Sequence, residues 1–241
     1  TMPDCGWYDP DRGVIAQPEA VEAPVLISFY RSYLTAADTA PIDALIQAFR
    51  AKGIAAYGLF VPSLKATGAP AFLAEALAAV PPAAIINATA FSGRGADGVT
   101  PLDAPNCPVF QVALSTARKR DWLGAERGLS PADLAMHVVL PEVDGRIFAG
   151  LISFKSPGRR DPDLQFSRFA HRADAGRIEQ VVARVIGWLR LGQTPAPSRR
   201  TAIVLSTYPG RPDQIAHAVG LDALASTQAI LGLLFLHQHM V

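Results

Sequence analysis

The chain has 241 residues, half of them hydrophobic and 18% charged, with a formal net charge of +1. That composition can bury a sizeable core and excludes extended disorder, and the near-neutral charge supplies no global pull toward nucleic acid or an anionic membrane. The two cysteines, Cys5 and Cys107, form no C-x-x-C pair, so neither a zinc motif nor a disulfide framework is indicated and a reducing cytoplasm is the plain reading.

Residues 1–22 read as a polar, turn-rich extension without the apolar centre of a signal peptide. Residues 25–30, VLISFY, form an apolar run that predicts a buried strand. After a polar turn, Pro41 suits the first turn of a helix, and Ile42, Leu45, Ile46 and Phe49 recur at helical spacing up to the stop at Gly53. Residues 55–61 predict a second strand, and Phe72, Leu73, Ala76, Leu77 and Val80 a second helix ended by Pro81 and Pro82. Residues 84–88 and 109–114 predict two more strands. Strands alternating with helices imply a parallel sheet covered on both faces. Right-handed crossovers make it a doubly wound, Rossmann- or flavodoxin-like α/β domain, placed over residues 23–191.

Ser130-Pro131-Ala132-Asp133 is a helix start with a cap, a first-turn proline and a first-turn acid. It leads into Val138-Val139-Leu140 and a turn over 141–145. Residues 146–154 predict a strand, the charged stretch 155–172 a loop, and Asp174 caps a long helix with Ile178, Val181, Val185 and Leu189 on one face. Residues 192–200, GQTPAPSRR, read as a linker. Beyond it, a buried strand at 202–205, a turn at Tyr208-Pro209-Gly210 and a helix from Ala223 predict the beginning of an incomplete second α/β domain over 201–241. The apolar run 223–236 is interrupted by Ser226, Thr227 and Gln228 and falls short of the ~20 residues a membrane span needs.

Gly93 to Gly98 matches G-x-G-x-x-G but follows the third strand and opens no helix, so a loop is favoured over a dinucleotide site. No P-loop for ATP is present. In an open α/β sheet, ligands bind beyond the carboxyl ends of the strands. That edge is expected to hold Tyr30, Arg31, Ser32 and Tyr33, then Ser63, then Asn87, Thr89 and Phe91, then Ser115 and Thr116. Arg31 can take a carboxylate bidentately, and the alternative is a set of ordinary loop residues. Glu142 and Asp144, in LPEVDG, can act as a base or hold a hard cation, or Asp144 can close a turn on backbone amides. His137 reads either as a satisfied, partly buried residue or as a member of such a site.

Several stretches together carry a family resemblance: SFYRSYLTAADTAPIDALIQAFRAKG, IINATAFS, RGLSPADLAMHVVLPEVDGRI, ISFK and RRTAIVLSTYPGRPDQIAHAVGLDALAS. In order and spacing they resemble the large subunit of aerobic cobaltochelatase and, less closely, that of magnesium chelatase. The likeness runs from about Trp7 to Leu234 and corresponds to an N-terminal-half segment of much longer proteins, so the chain is expected to be a fragment. The resemblance implies a tetrapyrrole-binding subunit that inserts Co2+, as substrate, into hydrogenobyrinic acid a,c-diamide in cobalamin synthesis. It implies no tightly bound cofactor in this chain and ATP hydrolysis by an AAA+ motor and accessory partner subunits. Glu142 then falls in the acidic segment of the family cavity, able to take a pyrrole proton or hold the incoming cation transiently, with Asp144 and His137 as neighbours. Tyr30, Arg31, Asn87 and Thr89 are the implied substrate contacts. The alternative is a non-catalytic, flavodoxin-like module that binds a tetrapyrrole or scaffolds partners.

Overall fold

A hairpin of Gly6–Asp9 (β1) and Gly13–Ile15 (β2) opens the computed structural model, which describes residues 2–18, 21–163, 165–206, 216–217 and 220–239. Then come Val25–Tyr30 (β3), Arg31–Thr35 (α1), Ala40–Arg50 (α2), Ala56–Val61 (β4), Ala69–Ala79 (α3), Ala84–Asn87 (β5) and Val109–Ser115 (β6). After Lys119–Leu123 (α4), the segment Pro131–Leu134 (α5), Ala135–Val139 and Leu140–Val143 (α6) is helical throughout, with a wider π turn in its middle. Ile147–Asp161 (β7), Phe166–Ala173 (β8), Ala175–Gln193 (α7) and Ala223–His239 (α8) complete the chain.

All eight strands form one sheet in the order β2-β1-β4-β3-β5-β6-β7-β8. The inner five, β4-β3-β5-β6-β7, are parallel. Numbered along the chain they stand 2-1-3-4-5, the flavodoxin-like doubly wound order. The expected α/β class therefore holds, with antiparallel strands added at both edges.

The helices pack as their periodicity dictates. Ile42, Leu45, Ile46 and Phe49 of α2 are fully buried. Phe29 lies tilted against Phe60 and edge to face with Tyr8, whose hydroxyl donates to Asp43 of α2. Leu26, Leu59 and Ile85, which alternate with those residues along the strands, pack instead with Leu73, Ala76 and Leu77 of α3. Each large side chain buried this way contributes roughly 1.5–3 kcal/mol. Gly58 is required where the layers are thinnest: a Cβ there would fall 2.8 Å from the Phe29 ring and 3.1 Å from Tyr8 Cβ.

Three local expectations change. Residues 1–22 are no mere extension, because Trp7 and Tyr8 are buried and β1 pairs with β4. The stretch expected as a loop at 155–172 is mostly a hairpin, since β7 runs on past the sheet and turns back as β8. Its charges suit an arm that is open to water. Residues 202–205, expected as a buried strand, join no sheet, and Val204 is 88% exposed. An apolar run becomes a strand only where a neighbour takes its backbone groups. The turn expected at 208–210 lies outside the described residues.

The chain divides into two compact units, Thr1–Gly187 and Trp188–Val241. The second holds the end of α7, a 3-10 turn at Ala196–Ser198 and α8. Among the described residues no helix is long and apolar enough to cross a membrane.

Candidate functional site at the carboxyl edge of the sheet

In the 2-1-3-4-5 order the strand sequence reverses between β3 and β5, and ligand crevices form there, outside the carboxyl ends. β3 ends in Tyr30 and β5 in Asn87. The Tyr30 hydroxyl spans the gap, donating to Ala90 O at 2.9 Å and accepting from Ala90 N–H at 3.0 Å. Burial raises the Tyr30 phenol above its ordinary value, with the Ala90 contact and the Arg146 charge opposing. Beneath it, Asn87 accepts from Ser28 Oγ (2.6 Å) and Thr89 Oγ1 (2.9 Å) and donates to Gln111 Oε1 (2.7 Å). Gln111 in turn donates to Thr89 O at 2.8 Å. Asn87 and Thr89 are wholly buried, so they hold the strand ends together from inside.

Loop 88–108 replaces a crossover helix between β5 and β6 and is bracketed by charge. Asp144 accepts from Ser92 Oγ and from Gly93 N–H at 2.7 Å, and pairs with Arg146 Nη2 at 2.8 Å. The Arg146 side chain is 2% exposed and that of Asp144 fully buried. Arg146 Nη1 also reaches Gln111 Oε1 at 3.3 Å and Phe91 O at 3.5 Å. Its Nε and Nη2 have no hydrogen-bond partner among the described residues; the short approach of Nη2 to Asp144 is an ion pair, without hydrogen-bond alignment. Burial pulls Arg146 below its ordinary value, and Asp144, Asp103 and Tyr30 oppose that pull. Gly93 admits no side chain, since a Cβ would lie 2.8 Å from both Arg146 Nη2 and Leu64 Cδ1. The glycine motif is thus a tight turn. Gly95 N–H donates to Val99 O, and the loop lines a hollow of about 390 Å³ with Leu64, Lys65 and Thr100.

A second polar cluster lies behind β6 and β7. Buried Asp133 accepts from Ser115 Oγ (2.8 Å), Thr116 N–H (3.0 Å) and Thr116 Oγ1 (2.9 Å). His137, on the π turn, is buried, and its Nδ1 has no partner among the described residues. Burial lowers its pKa, with Asp133 opposing. His171 on β8 contacts Ser153 Oγ through Nδ1, and its backbone N–H donates to Asp38. Burial lowers its pKa too, against the Asp38 charge and helped by Lys155 and His137. Tyr33 stacks edge-on against the His171 ring, and burial pushes its phenol well above the ordinary value.

Of the residues expected at the site, the fold brings Tyr30, Asn87, Thr89 and Asp144 around one loop. Arg31 turns to the N-terminal segment, donating to Pro3 O (2.8 Å) and Met2 O (3.1 Å) and lying 3.7 Å from Asp4. Glu142, expected beside Asp144 and His137, does not share their surroundings. Its side chain is exposed on α6 and has no hydrogen bond or ion pair among the described residues, while Asp144 and His137 face inward. Nor does Glu142 line the hollow. No group of three or more metal-ligating side chains occurs among the described residues. Sequence reading gave Arg146, Asp133 and His171 no place in the site. Arg146 carried a signal: a charge opening an apolar strand, two residues after an aspartate.

A doubly wound flavodoxin-like sheet with a braced loop at its switch point defines the class. A CobN/Magnesium Chelatase family profile matches residues 1–236, and the chain belongs to that family. It is similar to the aerobic cobaltochelatase subunit CobN of Sinorhizobium sp., 35% identical over 229 residues, which is 93% of this chain and 18% of that protein. A magnesium-chelatase subunit of Rhodobacter capsulatus is 27% identical over 233 residues, 86% of this chain and 19% of its own length. The solved catalytic subunit of cobaltochelatase from Mycobacterium tuberculosis superposes with a TM-score of 0.75 at 28% identity, over 98% of this chain and 20% of that one. The chain therefore spans about a fifth of the length of the relatives it matches.

Proposed function

We propose that the chain forms one wall of the macrocycle-binding cavity in the large subunit of an ATP-dependent cobaltochelatase. The substrates are Co2+ and a corrin such as hydrogenobyrinic acid a,c-diamide. The observation that carries this reading is the 35% identity over nearly the whole chain to a cobaltochelatase subunit, against 27% to a magnesium-chelatase counterpart. ATP hydrolysis falls to AAA+ motor and accessory partner subunits, in keeping with the missing P-loop sequence. A cytoplasmic location agrees with two cysteines that are both unpaired.

Metal insertion requires bases to take the ring N–H protons as the ion enters. Glu142 is the carboxylate suited to that role. Its side chain is exposed, has no hydrogen bond or ion pair among the described residues, and stands on a helix joined to the carboxyl edge through Met136. A transient contact with the incoming cation fits the same position. Asp144 and His137 act behind it, one holding the loop and the other backing the helix, and Tyr30, Asn87 and Thr89 keep the strand ends in place. Arg31 fastens the N-terminal residues Met2 and Pro3 beside them.

The test uses the chain within its complete subunit, with motor partners, ATP, cobalt and the corrin diamide. Glu142→Gln is expected to lower insertion by about 10²-fold, the usual scale of a positioned base, with macrocycle affinity unchanged. Full activity removes Glu142 from the mechanism, and absence of macrocycle binding by the unaltered protein removes the reading as a whole. The non-catalytic module is the second reading, favoured by the placement of Glu142 outside the described hollow. Saturable binding with no turnover in the complete assembly identifies it.

A further inference from the structure

Phe91 is a bulky residue in the left-handed region, at φ +66°, where side chains other than glycine, asparagine and aspartate are rare. The other non-glycine residues with positive φ among those described are alanines, Asn106 and Gln165. The conformation is imposed from every side. Ala90, just before it, is gripped at both N–H and O by Tyr30. Phe91 N–H donates to Met136 O at 2.8 Å, and its own carbonyl faces Arg146. Ser92 and Gly93, just after it, are both bound to Asp144. A backbone held so firmly in an unfavourable well would ordinarily serve to bury the ring. Here Phe91 is 49% exposed and its ring makes no aromatic contact among the described residues. The helical segment it touches through Met136 leaves Leu134, Val139 and Leu140 exposed as well.

Strain of this kind persists where the surroundings over-determine it, and it marks functional positions. We infer that the Tyr30–Asp144–Arg146 bracket exists to present the Phe91 ring as a stacking surface for the flat face of the macrocycle. This rests on the reading of the chain as part of a macrocycle-binding wall. An aromatic ring offers an extended conjugated ligand an offset-stacked contact, and the apolar helix face beside it covers the ligand's rim. Phe91 is a binding residue in this scheme, and Asp144 and Arg146 are positioning residues acting through it.

The test is an absorbance titration of the complete subunit containing this chain with free-base deuteroporphyrin, alongside urea unfolding of the chain. Phe91→Gly relieves the backbone and removes the ring. Its affinity is expected to fall about tenfold while its unfolding midpoint rises. Phe91→Tyr keeps an aromatic face and is expected to stay within about twofold of the parent affinity. A glycine variant of unchanged affinity overturns the proposal but leaves the reading of the chain intact. So does a glycine variant that unfolds, since Phe91 would then be a packing residue. A complete unaltered subunit that binds no porphyrin overturns the reading itself, and the stacking role with it.

Discussion

Arg146 and Asp144 carry their charges into a place nearly free of water, 2.8 Å apart. A buried pair of this kind adds little over an apolar pair of equal volume, yet removing one partner strands the other. Asp144→Asn is therefore expected to lower unfolding stability by about 3–5 kcal/mol in urea titrations. Replacing both residues with apolar ones of similar size is expected to cost less than that. A loss below ~1 kcal/mol for the single change would mean that the pair is solvated. The same geometry explains why the site was only partly readable. Glu142 and Asp144 are two residues apart and look equivalent in LPEVDG. One points outward and the other is gripped by loop 92–93, and nothing in their spacing separates them. Asn87 and Thr89 showed themselves as polar groups at a strand end, but their satisfaction by Ser28 and Gln111 depends on strands more than 20 residues away.

At the level of elements, the helices with a clean 3.6-residue repeat were the most legible. α2 lies where Ile42, Leu45, Ile46 and Phe49 put it, because four large side chains on one stripe leave a helix a single way to pack. Leu45→Ala, at a fully buried position, is expected to cost about 2–5 kcal/mol by the same urea measurement. A cost under ~1 kcal/mol would mean that α2 does not cover the sheet. The elements that escaped were short or charged. β1 and β2 have four and three residues, too few for alternation to register, and exist because β4 offers an edge to pair with. β8 was hidden by Arg168 and Arg172, whose charges are tolerated on a hairpin arm. The break between α5 and α6 is a π turn followed closely by Pro141, a proline that reads in sequence as the end of a helix and not as a bend within one.

Over the molecule as a whole, His137 and His171 tie stability to pH. Both are held below their ordinary pKa, chiefly by burial, amid Asp133, Asp38 and Lys155. The unfolded chain therefore binds more protons than the folded one once pH drops below about 6.5, so stability present above that value is lost as pH falls through it. Each histidine contributes a slope of up to ~1.4 kcal/mol per pH unit. Urea unfolding between pH 7.5 and 5.5 checks this: His171→Gln is expected to flatten the dependence, and an unaltered slope would place the titration elsewhere.

Both rims of the sheet end in strands that offer little to an incoming chain. On one side stands a three-residue strand and on the other an arm studded with arginines. Such rims discourage a foreign strand from zipping on through its backbone. Neighbouring polypeptide must then meet this segment through loops and helix sides, where side-chain fit governs choice. Contacts of that sort can loosen and re-form without tearing a shared sheet, so this segment can shift against its neighbours while its own strands stay paired.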